Sequence, residues 1–235
     1  MLTVDFDRLA VRKGDSALDA GCGFGRHSME FVKRGASVYS MDLDLESVRK
    51  TRFILAEMKR QDKSHNDSKY LSLNGNAMGM PFKNGSFDRI ICSEVMEHVS
   101  DDRKACSELF RVLKPGGRIA ITVPTYFSEL VYDTLTFEYF STPGGHIRKY
   151  TPVQLSGIMK DCGFEIYAID FKHAFHTIWW MIRCVVGLHL ENHPMTKSYH
   201  KFLHLGLMSK FMRRAEIFFN FFFPKSVIIY GWKRH

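Results

Sequence analysis

The chain has 235 residues, 45% of them hydrophobic and 25% charged, with a formal net charge of +8 at pH 7. That length predicts a single domain with a substantial core, burying roughly 70–75% of the surface exposed by the unfolded chain. The composition excludes a disordered, collagen-like or multi-span membrane chain. Cys22, Cys92, Cys106, Cys162 and Cys184 are odd in number and scattered, with no C-x-x-C pair. A disulfide framework is therefore not expected, and a reducing, cytoplasmic setting is. The first residues carry no basic run followed by an apolar stretch, so no signal peptide is expected. Charge is uneven. Lys172 to His235 holds ten of the 33 Lys and Arg residues but only two of the 25 Asp and Glu, so the first 171 residues are neutral overall.

In chain order, short apolar runs alternate with helical patterns, which predicts an α/β parallel sheet. Ser16–Ala20 reads as a first strand and Arg26–Arg34 as the helix after it. Ala36–Met41 is a second strand, followed by a helix over about Leu45–Arg60 and a polar stretch from Gln61 to Ser68. Strands are predicted at Tyr70–Leu73 and Asp88–Cys92. A helix near Asp101–Leu113 should stop at Lys114-Pro-Gly-Gly117, before a fifth strand at Arg118–Val123. Thr151, Pro152 and Gln154 form a helix start with a capping box. Gly163 closes that helix and Phe164–Ile169 is a sixth strand. Ser226–Tyr230 is a seventh, so His173–Pro224 reads as a helical insertion. The domain is drawn as a core of about 14–171 and 225–235 with an insertion of about 172–224.

Chemistry concentrates between the first strand and its helix, in Leu18-Asp-Ala-Gly-Cys-Gly-Phe-Gly25. Glycines there let backbone approach a ligand at the crevice where parallel strands end. The spacing of Gly21, Gly23 and Gly25 is G-x-G-x-G, whereas dinucleotide dehydrogenases use G-x-G-x-x-G. Asp19, two positions before the first glycine, would suit a ligand with a cationic amino group and would repel a pyrophosphate. Asp42 ends the second strand, where a carboxylate can accept both hydroxyls of a ribose. Asp44 is its neighbour and competitor, better placed to cap the next helix.

With these come Gly75-Asn-Ala-Met-Gly-Met-Pro-Phe82, Ser86-Phe-Asp88, Ser93-Glu-Val-Met-Glu-His98, Arg111-Val-Leu-Lys-Pro-Gly-Gly117, Tyr150-Thr151 and Cys162-Gly-Phe164. As an ordered set over about Gly14–Ile169, they resemble the class I S-adenosylmethionine-dependent methyltransferases, closest to the ubiquinone and menaquinone biosynthesis branch. The resemblance implies a Rossmann-like, seven-stranded, doubly wound α/β sheet and S-adenosyl-L-methionine as cofactor. It also implies roles. Asp19, Ala20 and the Gly21, Cys22, Gly23 and Gly25 backbone would hold the methionine part, and Asp42 the ribose. Leu43 would flank the adenine, and Asn76 and Ala77 would meet its amino group. Glu94 and Val95 would line the sulfonium side. Two features depart from the family: Asn76 stands where an Asp is usual, and fourteen residues before the first strand are too few for a helical lid.

If the acceptor is a hydroxyl, a general base would help, and His146 and His98 are the candidates by position. Each also has a structural reading, His98 packing beneath its helix and His146 ordering the Gly144-Gly145 turn. The tail pairs His173/His176, His189/His193 and His200/His204 lack any accompanying H-E-x-x-H or Cys-His set, so no metal is expected. Thr177–Gly187 is apolar but too short to span a bilayer. Phe211, Ala215, Phe218 and Phe222 recur at helical spacing, with Arg213, Arg214 and Asn220 towards the other side. That helix can be a lid packed on the sheet, a wall of a hydrophobic acceptor pocket, or a foot on anionic lipid at the inner membrane face. The insertion and the loop after strand five are expected to form the acceptor site. The sequence therefore points to methyl transfer onto a small, apolar acceptor: a quinone precursor, polyketide, isoprenoid or lipid-linked species. The alternatives are a non-catalytic cofactor-binding module at a membrane or partner, and, third, a nucleic-acid methyltransferase. Against the last, Ser93–Met96 replaces the Asn/Asp-Pro-Pro-aromatic motif typical of enzymes that methylate base amino groups.

Overall fold

A computed structural model describes residues 2–61, 68–136, 145–187, 193–206 and 209–234. Seven strands, β1 (Ser16–Ala20), β2 (Ser37–Asp42), β3 (Tyr70–Asn74), β4 (Phe87–Ser93), β5 (Leu113–Pro124), β6 (Phe164–Lys172) and β7 (Ser226–Lys233), form one sheet. Their spatial order is β3-β2-β1-β4-β5-β7-β6. All pairings are parallel except those of β7, which runs antiparallel to both β5 and β6. The order reverses direction between β1 and β4, the switch point at which such sheets open a crevice.

The central strands are buried on both faces, and their period of two sorts the core into two layers. Leu18, Ala20, Ile90, Cys92, Ile119 and Ile121 point into one cluster. There they meet Leu109 and Val112 of α3 (Asp102–Val112) and Leu155 and Met159 of α5 (Pro152–Asp161). The intervening Ala17, Ile91, Ala120, Ile228 and Tyr230 point the other way. On that side lie Phe31 and Val32 of α1 (Arg26–Lys33), Leu55 of α2 (Leu45–Gln61), and Val4, Phe6 and Leu9. The residues before β1 therefore form turns packed on the sheet, and no helical lid is found among them.

The predicted starts of two helices are found, whereas Lys114–Gly117, read as a break before the fifth strand, already belongs to β5. Thr151 and Gln154 make the capping box of α5. Asp44 accepts from the Glu46 and Ser47 amides and so caps α2. Asp101 caps α3 through the Lys104 amide. Strands β6 and β7 run longer than the sequence predicts because they pair with each other along most of their lengths.

Helix α4 (Tyr126–Leu135) follows β5 directly. Between β6 and β7 lie α6 (Ala174–Val186), α7 (Pro194–Gly206) and α8 (Lys210–Phe219). Because β7 is antiparallel, both ends of this insertion emerge at the edge where the parallel strands end. It rests on α4: Tyr132, fully buried, reaches the Thr177 carbonyl, and the Thr177 hydroxyl donates to the Phe223 carbonyl at 2.9 Å. Helix α8 does not pack as a lid on the sheet, since none of its residues is buried. Among the described residues no helix is long and apolar enough to cross a membrane. His189 and residues 137–144 of the post-β5 loop lie outside the described residues.

Candidate active site

A cavity of about 1000 Å³ opens over the C-terminal ends of β1, β2 and β4, at the upper end of the roughly 300–1,000 Å³ range of ligand sites. Its floor is the glycine loop. The Gly21 and Cys22 amides both donate to the Met41 carbonyl, at 2.8 and 3.0 Å, which folds the loop onto the tip of β2. Gly21 has φ +74°, and a Cβ there would lie 2.0 Å from Val95 Cγ2. Only glycine fits both the backbone and the space. Across the loop, the Thr51 hydroxyl donates to the Gly23 carbonyl at 2.8 Å.

Asp42 is held at the cavity edge. Its Oδ2 accepts from the Gly23 amide at 2.8 Å and its Oδ1 from the Asp44 amide at 2.9 Å. Each carboxylate oxygen has a second lone pair, so both can still accept from a ligand hydroxyl. Leu43, beside it, is 73% exposed and overhangs the opening. On the far wall Asn76 spends an Oδ1 lone pair on the Met78 amide at 2.9 Å, closing a tight turn. The side chain that sequence reading offers to an exocyclic amine is thus already engaged in ordering its own loop.

Of the expected cofactor contacts, Gly21, Cys22, Gly23, Asp42, Leu43, Asn76, Ala77, Glu94 and Val95 line the cavity, and Asp19, Ala20 and Gly25 do not. Asp19 lies beneath the loop, fully buried, with Oδ2 accepting from the Ser28 hydroxyl at 2.6 Å. The Ser28 hydroxyl also meets that of Ser40, at 2.7 Å. Oδ1 of Asp19 has no partner. Burial pushes this carboxyl up to about 6, against the opposing pull of Ser28 and Arg26. The reason is positional: β1 is a central strand, so the Asp19 side chain is enclosed against α1 while the loop that follows forms the wall.

The opposite wall begins just after β4. Glu94 has φ +56°, a conformation rarely adopted by a side-chain-bearing residue. Its Oε1 accepts from the Thr122 hydroxyl at 3.0 Å and its Oε2 from Lys225 Nζ at 3.0 Å. Burial would raise its pKa, but the Lys225 charge and hydrogen bond outweigh that and hold it below the usual carboxylate range. Sequence reading misses Lys225, which is 131 residues away. The signal available was a lone cation opening the last strand, but only the antiparallel course of β7 brings it to the tip of β5.

His98 and His146 are brought together. Their rings stand edge to face with centroids 4.7 Å apart. His98 lines the cavity, and one of its ring nitrogens lies 3.3 Å from the Gly145 carbonyl. His146 Nδ1 is 2.6 Å from Oε1 of Glu129, a carboxylate of α4 that is 1% exposed. A carboxylate accepts only, so this contact places a proton on Nδ1 and makes Nε2 the basic nitrogen. Glu97 sits below, 1% exposed with both oxygens unpartnered. Burial, together with the charges of Glu94 and Glu129, holds its carboxyl well above the usual range. Neither Glu129 nor Glu97 is singled out by spacing in the sequence. Among the described residues, none of the α6–α8 insertion lines this cavity, and α6 packs against α4.

Residues 18–121 match the family described as methyltransferase domain. The ubiquinone/menaquinone biosynthesis C-methyltransferase UbiE of Ruegeria sp. is 32% identical over 59% of this chain and 55% of its own length. The sterol 24-C-methyltransferase of Saccharomyces cerevisiae is 27% identical over 68% of this chain and 41% of its own. An S-adenosylmethionine-dependent methyltransferase from Methanosarcina mazei shares the fold, with a TM-score of 0.64 at 18% identity, covering 100% of this chain and 99% of that one. Over residues 18–121 the chain is similar to the class I S-adenosylmethionine-dependent methyltransferases, and its sequence likeness includes the UbiE-like branch. It spans about half the length of the curated relatives it matches. S-adenosyl-L-methionine is the cofactor of this family. The cavity suits it, offering a hydroxyl-accepting carboxylate, an apolar slot beside Leu43 and Met78, and a loop that a Cβ would block.

Proposed function

We propose that the chain transfers a methyl group from S-adenosyl-L-methionine to a small, apolar acceptor. The observation that carries this reading is the cavity. One side has the glycine loop and Asp42, and the other has His98 backed by the Glu129–His146 pair. In this assignment Asp42 accepts the ribose hydroxyls, while Leu43, Asn76 and Ala77 border the adenine. The Gly21–Gly23 backbone, Glu94 and Val95 face the methionine part. Asp19 acts from below by bracing α1 through Ser28 and does not touch the ligand. The bound cofactor supplies an electrophilic methyl carbon on a sulfonium.

The chain's own work is positioning and proton handling. An acceptor hydroxyl seated by His98 would lose its proton to an imidazole as its oxygen bonds the methyl carbon and the carbon–sulfur bond breaks, the sulfur leaving as a neutral thioether. His146 Nε2 takes that proton directly or through His98, and Glu129 stabilises the imidazolium. The relatives named for quinone and sterol methylation support an apolar acceptor.

The insertion gives this acceptor a route. Phe211, Phe218, Phe221 and Phe222 are 77%, 62%, 84% and 51% exposed. Lys210, Arg213 and Arg214 share α8 with Phe211 and Phe218, and Phe221 and Phe222 follow its C-terminal end. Aromatic rings flanked by cations suit the headgroup region of an anionic bilayer. In this reading the insertion docks on lipid, at the edge of the sheet where the cavity opens.

The test uses purified protein, cell extract and methyl-labelled cofactor. Label in the organic fraction supports the proposal. Label confined to the aqueous or nucleic-acid fraction overturns the apolar acceptor. Cofactor binding with no label in any fraction replaces catalysis with a binding role. Sedimentation with anionic but not neutral vesicles, lost when Phe218 and Phe221 become Ser, tests the docking.

A further inference from the structure

Where β6 ends, the chain turns through His173, whose φ is +72°, and enters α6. His176 is one turn on, and α8 brings Glu216 against the pair. One ligand atom from each of His173, His176 and Glu216 lies within 4.8 Å of the other two. We propose that these three residues bind one divalent ion of the zinc class, tying α8 to the start of α6. The site is distinct from the cofactor cavity, whose lining includes none of the three.

Two unpartnered atoms in the cluster point to an ion. His176 Nδ1 and Glu216 Oε1 are both buried without a hydrogen-bond partner. Folded proteins rarely leave such atoms unpaired. A metal satisfies both at once. The ligand set is two imidazoles and one carboxylate, the borderline nitrogen and oxygen donors that zinc takes, with a fourth position for water. Tetrahedral zinc separates its ligand atoms by about 3.3 Å, so each pair closes by at most about 1.5 Å from the 4.8 Å limit. Side-chain torsions supply that.

The surroundings agree. His173 is 8% exposed, and its Nε2 is 3.3 Å from the Thr3 hydroxyl, itself 1% exposed, which fixes the ring. Lys172, Lys225 and Arg26 are neighbouring cations that oppose a metal. Lys225 is already neutralised by Glu94 at 3.0 Å. A bound ion would steady α6 and α8, which are otherwise held by side-chain contacts across a largely exposed helix.

The test takes the full chain, stripped with chelator and dialysed against zinc chloride, and measures bound zinc by mass spectrometry and thermal stability. Cobalt(II) serves as a spectroscopic probe. One equivalent of zinc, a raised melting temperature and an intense tetrahedral cobalt spectrum are expected. His176→Ala and the near-isosteric Glu216→Gln should each weaken binding by more than the roughly 10–100-fold typical of losing an outer-shell partner. The pair His98→Asn with His146→Asn removes the other histidine cluster and should leave the zinc content at one equivalent. No zinc uptake by the native chain overturns the proposal. So does uptake that survives Glu216→Gln, or uptake that disappears with the His98 and His146 changes.

Discussion

Replacing Asp42 with Ala removes a carboxylate whose two oxygens are each held by a backbone amide, 2.8 Å from Gly23 and 2.9 Å from Asp44. Those two bonds fix the carboxylate plane, so the remaining lone pairs are presented to the cavity at no further ordering cost. Charge-assisted hydrogen bonds contribute about 1.5–3 kcal/mol. Loss of the acceptor should therefore weaken S-adenosylhomocysteine by about 10–150-fold. Asp42→Asn keeps one oxygen acceptor but puts an amide where the other was, so the Gly23 amide and the ligand compete for a single oxygen. A loss of roughly tenfold is expected for it. Titration calorimetry on each variant measures the affinity, and a thermal melt shows that the fold is intact. Affinity of Asp42→Ala within twofold of native, with an unchanged melt, refutes the ribose assignment.

Gly21→Ala should abolish cofactor binding, because the new Cβ falls 2.0 Å from Val95 Cγ2 at φ +74°. Adding Val95→Ala should restore part of it, since the clash is with that side chain; no recovery by calorimetry would mean that backbone strain dominates. Asp19, raised to about 6, favours the fold below the ordinary carboxylate range and loses that contribution as pH rises through 6. The ionised form then costs about 3 kcal/mol near neutrality. Urea titrations should accordingly show Asp19→Asn gaining on the native chain between pH 4.5 and 7.5, and a pH-independent difference would contradict the assignment. Lys225→Met leaves Glu94 charged and half-enclosed, a loss of about 3 kcal/mol at pH 7. Glu94 is held low in the fold, so its contribution is present above the usual carboxylate range and lost as pH falls through its folded value. The gap from native should close in acid and in the Glu94→Gln/Lys225→Met double variant, as read by chemical denaturation. For a hydroxyl acceptor, Glu129→Gln should lower kcat by about 10²–10⁴-fold with little change in KM, and shift the acidic limb of the pH–rate profile. A kcat within threefold of native would place the proton elsewhere.

Local chemistry in the sequence was enough for most of the strands, the helices between them and the glycine loop. The glycine loop, the strand ending at Asp42, and the caps at Asp44, Asp101 and Thr151 are all set by residues within a few positions of one another. Such short-range rules read directly from a string of letters. The orientation of Asp19 was not legible, because whether a loop-flanking acid faces the ligand or the helix beneath depends on the burial of β1 from both sides. Nor was the role of the tail. Its phenylalanine pattern reads as a packed wall, yet the helix stays exposed, because amphipathic spacing states that an apolar face exists and not what covers it.

Periodicity and turn chemistry in the sequence by itself determined most of the strands and the helices that connect them, since both are local, and the resemblance of its motifs gave the family of ligand; helix α4, in what reads as a loop, it did not show. Only the tertiary structure decided which distant residues share a site. Lys225 reaches Glu94 because β7 reverses direction, Glu129 meets His146 because α4 packs beside the loop, and Glu216 meets His173 and His176 because α8 folds back on α6. Each of those meetings closes a loop of seventeen residues or more, and no neighbour rule along the chain specifies where such a loop returns.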